Sequence, residues 1–296
     1  MAEKTGIAWT KSTFNPWIGC QKVGPGCDNC YAEALDARKV FGGQVHFGPK
    51  VPRVRTSASN WKQVRRWNRQ AKDSEFAGRK GFWPVFCASL ADIFDNEVDP
   101  VWRADFWKLV QDCSDLTFLV LTKRIGNVSK MLPPDWGAGY PNVWLGATIV
   151  NQAEADRDVA KLLSIPAAKH FLSMEPLLGP VDLTTAGWLI PGALDWIIVG
   201  GESTNAARPM HPAWVLDLQS QCDTASVPFL FKQWGEWRPV DGDVAAEPPV
   251  YAFEDGVLVQ KHGTDNNGCA LAGQERKRWP GENIQRCVAY TASMGT

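Results

Sequence analysis

The chain has 296 residues, 45% of them hydrophobic and 21% charged, with a formal net charge of −1. That length and apolar content support a sizeable core in one large α/β domain or two small ones, and no low-complexity run interrupts them. No apolar stretch reaches membrane-spanning length, and the opening Met-Ala-Glu-Lys-Thr-Gly lacks a signal-peptide pattern, so a cytoplasmic, reducing location is expected.

In chain order, residues 6–14 read as a short first strand that feeds a loop containing Cys20, Cys27 and Cys30. Gly19, Gly24, Pro25 and Gly26 make that segment a loop, not a helix or strand. A helix is expected over Tyr31–Val40, stopped by Gly42-Gly43. Residues 50–80 hold ten basic and two acidic side chains, a local charge of +8 against −9 for the remainder. Within it Asn60 reads as an N-cap, and Trp61, Val64 and Trp67 recur at helical spacing, leaving Arg65, Arg66 and Arg69 on the other face.

From residue 83 a rhythm sets in. Strands are expected at Pro84–Ser89, Leu116–Leu121, Val143–Ile149, His170–Met174, Asp195–Val199 and Val227–Phe231. Helices are expected over Pro100–Cys113, Ile125–Met131, Ala153–Leu163 and Ala213–Cys222. Continuous apolar runs separated by helical stretches are the pattern of buried parallel strands. With the first strand this makes about seven units, so the fold class is α/β: a partial or complete parallel β/α (TIM-like) barrel over residues 1–237, with a basic helical insertion at about 50–80. Residues 238–296 form a C-terminal extension or lid. Pro239, Pro248 and Pro249 mark a linker, and Val250–Val259 a hairpin turning at Asp255-Gly256.

Chemistry in such barrels sits at the carboxyl ends of strands. There the sequence is polar in nearly every unit: Ser89 and Asp92; Thr122, Lys123 and Arg124; Thr148, Asn151 and Gln152; Ser173 and Glu175; Gly200, Gly201, Glu202 and Ser203; Lys232, Gln233 and Trp234. The three early cysteines, spaced C-x6-C-x2-C, read as one compact metal centre. A structural zinc site closes with four protein ligands, so the same thiols would need a distant His or Cys to complete it. A cubane iron–sulfur cluster on three thiolates instead leaves one iron open. Cys87, Cys113, Cys222, Cys269 and Cys287 read as buried thiols, because disulfides are not expected in this compartment, with a second ligand set on the last three as the alternative.

The cysteine loop, closing on an aromatic at Tyr31, resembles that of the radical S-adenosylmethionine (SAM) superfamily, although the first gap is six residues instead of three. Leu121-Thr-Lys-Arg124, Ser173-Met-Glu-Pro-Leu-Leu-Gly-Pro180, Gly200-Gly-Glu-Ser203 with Ala207-Arg-Pro209, and Phe231-Lys-Gln-Trp-Gly235 together resemble a phage-associated three-cysteine radical SAM-like family. The match runs from about Ile7 to Trp237. It departs at Val150, where that family has a glutamate whose role would move to Glu175 or Glu202.

The resemblance implies a [4Fe–4S] cluster on Cys20, Cys27 and Cys30, SAM on the open iron, an external electron donor, and a 5'-deoxyadenosyl radical. Tyr31, Ser89, Asp92, Thr148, Ser173, Gly200, Gly201 and Glu202 are the candidate SAM contacts, and Lys123, Glu175 and Lys232 the candidate catalytic groups. Several have a structural alternative: Gly200-Gly201 a tight turn, Asp92 a helix cap, Glu175 or Glu202 a salt bridge with Lys123, Arg124 or Lys232, and Lys123 and Lys232 structural pairing in place of holding a carboxylate or phosphate of the substrate. His211 reads as a satisfied loop residue; His46 and His262 have no context.

Arg55, Trp61, Lys62, Arg65, Arg66 and Arg69 are candidate nucleic-acid contacts, since cations neutralise phosphates and tryptophan stacks on unpaired bases. A solvated helix paired with the acidic remainder is the alternative. The resemblance then implies modification of a substituted thymine in phage DNA, an isomerisation or carbon-skeleton rearrangement of an aminoacyl adduct, in the host cytoplasm. Two other readings stay open: a non-catalytic zinc-containing nucleic-acid-binding protein, and a SAM-dependent radical enzyme acting on a peptide or small metabolite.

Overall fold

Apolar runs separated by helices fold here as one curled parallel sheet. A computed structural model describes residues 5–190, 192–240 and 249–281. Its strands are β1 (Ser12–Thr13), β2 (Pro84–Cys87), β3 (Thr117–Thr122), β4 (Val143–Thr148), β5 (Lys169–Met174), β6 (Trp196–Gly200) and β7 (Phe229–Gln233). They pair in chain order, each parallel to the next. β1 and β7 are the two edges, so the barrel is partial and not complete.

The helices are α1 (Tyr31–Ala37), α2 (Ala58–Gln70), α3 (Pro100–Asp112), α4 (Ile125–Met131), α5 (Gln152–Leu163) and α6 (Pro212–Ala225). Most expected elements are present within a few residues. The first strand shrinks to Ser12–Thr13, and α1 ends at Ala37, with Lys39 in a left-handed conformation well before Gly42. Ser57, not Asn60, stands at the N-cap of α2. The Asn60 side chain donates instead to the Asn15 carbonyl and to Thr56 Oγ1.

Side chains alternate across each strand, which divides the core in two. Val85, Phe118, Val120, Leu145, Leu172, Ile197, Val199, Phe229 and Phe231 pack outward with the helices. Phe86, Leu119, Trp144, Phe171, Trp196, Ile198 and Leu230 point into the bore. Trp9 closes the curl: its ring meets Phe86 of β2 as well as Phe171 and Trp196 of the adjacent strands β5 and β6, on the other side of the sheet.

The tail completes this core. β8 (Trp237–Pro239), β9 (Val250–Ala252) and β10 (Leu258–Lys261) form a small antiparallel sheet, and the turn falls at Asp255-Gly256 as the sequence indicates. Pro239 lies in β8, whereas Pro248 is outside the described residues. Beyond the sheet, Arg276 and Arg278 exchange backbone hydrogen bonds with Phe231 and Phe229, covering the exposed edge of β7. Trp279 thereby enters the bore against Trp196 and Phe76 at the amino ends of the strands. Among the described residues no helix is long and apolar enough to cross a membrane.

Gly146 shows how full the bore is. A Cβ there would lie 2.3–2.6 Å from ring atoms of Phe171, which is itself wholly buried. Gly146→Ala is therefore expected to destabilise the fold by about 1–3 kcal/mol through overpacking, read as a lower midpoint in thermal or urea unfolding.

Candidate functional site

Because the side-chain period is two, the inward parity of each strand carries through its last residues and into those just past it. Lys123 follows Leu119 and Leu121; Thr148 follows Trp144 and Gly146; Ser173 and Glu175 follow Phe171; Glu202 follows Ile198 and Gly200; Lys232 follows Leu230. These polar groups meet in a cavity of about 570 Å³ at the carboxyl ends of the strands. Ser89, Asp92, Arg124, Gly201, Ser203 and Gln233 also line it, as do all three loop cysteines. Asn151, Gln152, Gly200 and Trp234 are not among its lining residues.

The cysteine loop is held from the strand ends. Arg124 Nη2 donates to the Gln21 carbonyl at 2.9 Å. Arg208 donates to the Pro25 carbonyl (2.8 Å) and Asp28 Oδ2 (3.1 Å), and clamps both carboxylate oxygens of Glu202 at 2.6 and 3.0 Å. Asn29 Nδ2 reaches the same carboxylate at 3.0 Å. Burial pushes the Glu202 carboxyl up, but the hydrogen bonds from Arg208 and Asn29 outweigh it and hold it below the ordinary carboxylate range. Glu202 is thus paired, though with Arg208, and not with Lys123, Arg124 or Lys232.

Gly19, at φ +114°, gives the loop its entry. A Cβ there would stand 2.5 Å from the His46 carbonyl oxygen. Gly48 N–H then donates to the Cys20 carbonyl. Cys27 ends a short 3-10 turn, and Cys30 stands at the N-cap of α1. Burial, with Asp92 nearby, pushes the Cys20 thiol up to about 12, while Arg124 pulls the other way.

Below the loop, Glu175 accepts from Ser173 Oγ (3.0 Å) and Trp9 Nε1 (3.3 Å) and pairs with Lys232 at 2.9 Å. Asp92 accepts from Thr122 Oγ1 and from the backbone N–H groups of Lys123 and Phe94. It ties its loop to the end of β3, while Asp99 caps α3. The Tyr31 hydroxyl donates to the Ser89 carbonyl at 2.6 Å, and the residue, which lines the cavity, is 42% exposed. Gly201 is a close-packing glycine: a Cβ there would lie 2.0 Å from the Trp234 carbonyl oxygen.

The carboxylate nearest Val150 is neither Glu175 nor Glu202. Glu154, one helical turn on, accepts from the Val150 N–H at 3.1 Å and lies against Gly24. An i,i+4 relation across a helix start was the available signal.

No residue of α2 lines the cavity. Arg55 stacks on the half-buried Trp61 and pairs with Asp105; Arg65 pairs with Asp112 on α3. Trp67 is buried against Trp83. Neither tryptophan is presented as an open stacking platform. Lys62 and Arg69 are exposed and, among the described residues, have no ionic partner; Arg66 is exposed too.

Buried Cys87, Cys113 and Cys222 are core thiols, whereas Cys269 is half-exposed beside Glu275, and Cys287 lies outside the described residues. His211 caps α6 and contacts Asp255. His46 pairs with Asp36 at 2.6 Å, both buried, bracing α1 against the 46–48 segment. Sequence spacing holds no trace of that pair. Arg208 was traceable, since a buried glutamate demands a cation.

Fold and site together define a partial β/α barrel with a thiol- and charge-lined cavity at the carboxyl ends of its strands. The chain belongs to a family described as "Protein of unknown function (DUF5131)", which matches residues 4–280. No curated protein and no solved structure matches it. The resemblance to the radical SAM superfamily is accordingly corrected: the family found is DUF5131 and no radical SAM family. Nor, among the described residues, do any three His, Cys, Asp or Glu side chains form a group that could hold a metal ion. The three thiols are held by different contacts: the Cys20 carbonyl accepts from the Gly48 N–H, Cys27 ends the turn whose Pro25 carbonyl accepts from Arg208, and Cys30 stands at the start of α1.

Arg208→Ala would leave Glu202 buried without its cation. A cost of about 2–3 kcal/mol is expected, below that of a fully buried pair because the Arg208 side chain is 32% exposed. Since the Glu202 pKa is depressed in the folded state, the pair's stabilisation is complete above the unfolded value of about 4.3 and lost as pH falls through the folded value. The stability gap between wild type and R208A, measured by urea unfolding, is expected to be full at neutral pH and to shrink under acid.

Proposed function

We propose that the cavity is the active site of an enzyme that modifies a nucleobase of DNA, with a [4Fe–4S] cluster held by Cys20, Cys27 and Cys30 and SAM bound beside it. The observation that carries this reading is the convergence of three thiols with Lys123, Glu175 and Lys232 in one cavity at the carboxyl ends of parallel strands. In number and donor type the thiols fit a cluster with one open corner. As they stand they form no metal-holding group, so binding would gather them, with loss of the Cys20 proton. When bound, cluster and SAM would supply a 5'-deoxyadenosyl radical, using an electron from an external donor.

The chain's own residues would do the rest. Trp9, Phe86 and Leu121 give the cavity an apolar floor that excludes water. Glu175, oriented by Ser173 and Trp9, would hold a polar group of SAM or substrate, and its pairing with Lys232 makes the two a candidate proton-holding pair. Tyr31 offers a ring face at the cavity. The cavity has room for an extruded base, and the proposed change is an isomerisation or carbon-skeleton rearrangement of a substituted thymine. Lys62 and Arg69 would meet phosphates outside the cavity.

Protein purified without oxygen and reconstituted is expected to bind about four irons per chain, and to release 5'-deoxyadenosine when given SAM and dithionite. Replacement of Cys20, Cys27 or Cys30 by Ala is expected to abolish both. Iron-free protein with all three thiols intact refutes the cluster, and one zinc per chain without colour points to the non-catalytic alternative.

Binding to DNA, measured by gel shift, is expected to weaken steeply with salt, and the double variant K62A/R69A to reduce the slope of log K against log salt by about 1–2. Salt-independent binding, or none, removes DNA as the substrate.

A further inference from the structure

Four cations line the cavity, and three of them are answered. Lys22 pairs with Glu33 at 3.1 Å, Lys232 with Glu175 at 2.9 Å, and Arg124 faces Asp95 at 3.7 Å while donating to Gln21. The fourth, Lys123, has neither an ionic nor a hydrogen-bonding partner for its ammonium among the described residues. Beside it stands Thr148, only 5% exposed, whose Oγ1 is buried without a hydrogen-bond partner.

Their adjacency follows from register. Thr122 of β3 pairs with Ala147 of β4, so Lys123, just past the end of β3, and Thr148, the last residue of β4, come side by side with the same inward parity. Both also border a smaller hollow under the cysteine loop, formed with Gly24, Gly26, Cys27 and Glu154. Gly26 keeps this place open: a Cβ there would lie 2.8 Å from Val150 Cγ1 and 3.8 Å from Lys123 Nζ. An uncompensated ammonium and an unused hydroxyl donor next to each other are costly in a cavity wall unless a ligand satisfies both.

We propose that Lys123 and Thr148 form a subsite for a single compact oxyanion, a carboxylate or a phosphate monoester, carried by the ligand that fills the cavity. An ammonium supplies up to three donors and the hydroxyl one more, which suits an acceptor-rich anionic group and not a neutral amide or a base edge. The assignment rests on the reading of this cavity as a binding site and is independent of whether the thiols hold a cluster.

The test uses the full-length, metal-free protein and two matched pairs of probes, followed by calorimetry. One pair is S-adenosylhomocysteine and its decarboxylated analogue; the other is thymidine 5'-monophosphate and thymidine. Wild type is expected to prefer the anionic member of at least one pair by about tenfold or more, the usual size of a charge-assisted hydrogen bond. The pair that shows the preference identifies the source of the oxyanion.

K123Q is expected to erase that preference while leaving the neutral probe's affinity unchanged, K123R to retain most of it, and T148V to reduce it severalfold. Unchanged thermal unfolding of K123Q, a substitution at a half-buried position, would show that the fold is intact. The assignment is overturned if wild type shows no preference or binds no anionic probe, if K123Q keeps the preference, or if K123Q weakens charged and neutral probes alike. A preference that persists in protein unable to bind iron would separate failure of the cluster from failure of the subsite.

Discussion

A parallel sheet that curls without closing must fill its own bore, and the two-residue period of its strands decides what fills it. Every second side chain faces inward, and here the inward set is large and aromatic: Phe86, Trp144, Phe171 and Trp196, with Trp9 bridging strands and Trp279 stopping the amino end. This packing accounts for four of the fifteen tryptophans, and the layer between sheet and helices buries several more. It also leaves the carboxyl end as the place where the same inward parity becomes polar, because at the last strand positions and just beyond them the residues are lysines, glutamates and hydroxyls. Cavity and core are one pattern read at two heights.

The cysteine loop has almost no regular structure of its own, so its shape is imposed from outside. Two arginines, Arg124 just past the end of β3 and Arg208 in the loop between β6 and α6, reach carbonyl groups at Gln21 and Pro25. Each is itself balanced by a buried carboxylate, Asp95 or Glu202. Charges this deep are tolerated only when paired, and the pairing fixes where the loop sits over the cavity. In this light Glu202 serves the position of the thiols first, and any ligand contact comes through that framework.

The basic segment illustrates how charge counting misleads. A run of +8 reads as a nucleic-acid surface, yet Arg55 and Arg65 are answered by Asp105 and Asp112, carboxylates on α3 some fifty residues away. The tryptophans of the same helix are packing residues. What is left of the footprint without an ionic partner among the described residues is Lys62 and Arg69, on the outer surface and separate from the cavity. A phosphate backbone held there would have to reach the cavity by extending across the surface.

The sequence alone settled the rhythm of strands and helices from residue 83 onward, and the polar residues at the carboxyl ends, because both follow from local periodicity and from the apolar stretch each buried strand requires. It also located the tail hairpin through its Asp-Gly turn. Tertiary structure decided the partners: Arg208 for Glu202, Asp36 for His46, Glu154 for Val150, α3 for the basic helix. It decided, too, that the three cysteines share a cavity without forming a metal-holding group, which C-x6-C-x2-C spacing cannot reveal. Those outcomes depend on segments brought together by the curl of the sheet, and a charge or a thiol carries no local mark of which distant neighbour will answer it.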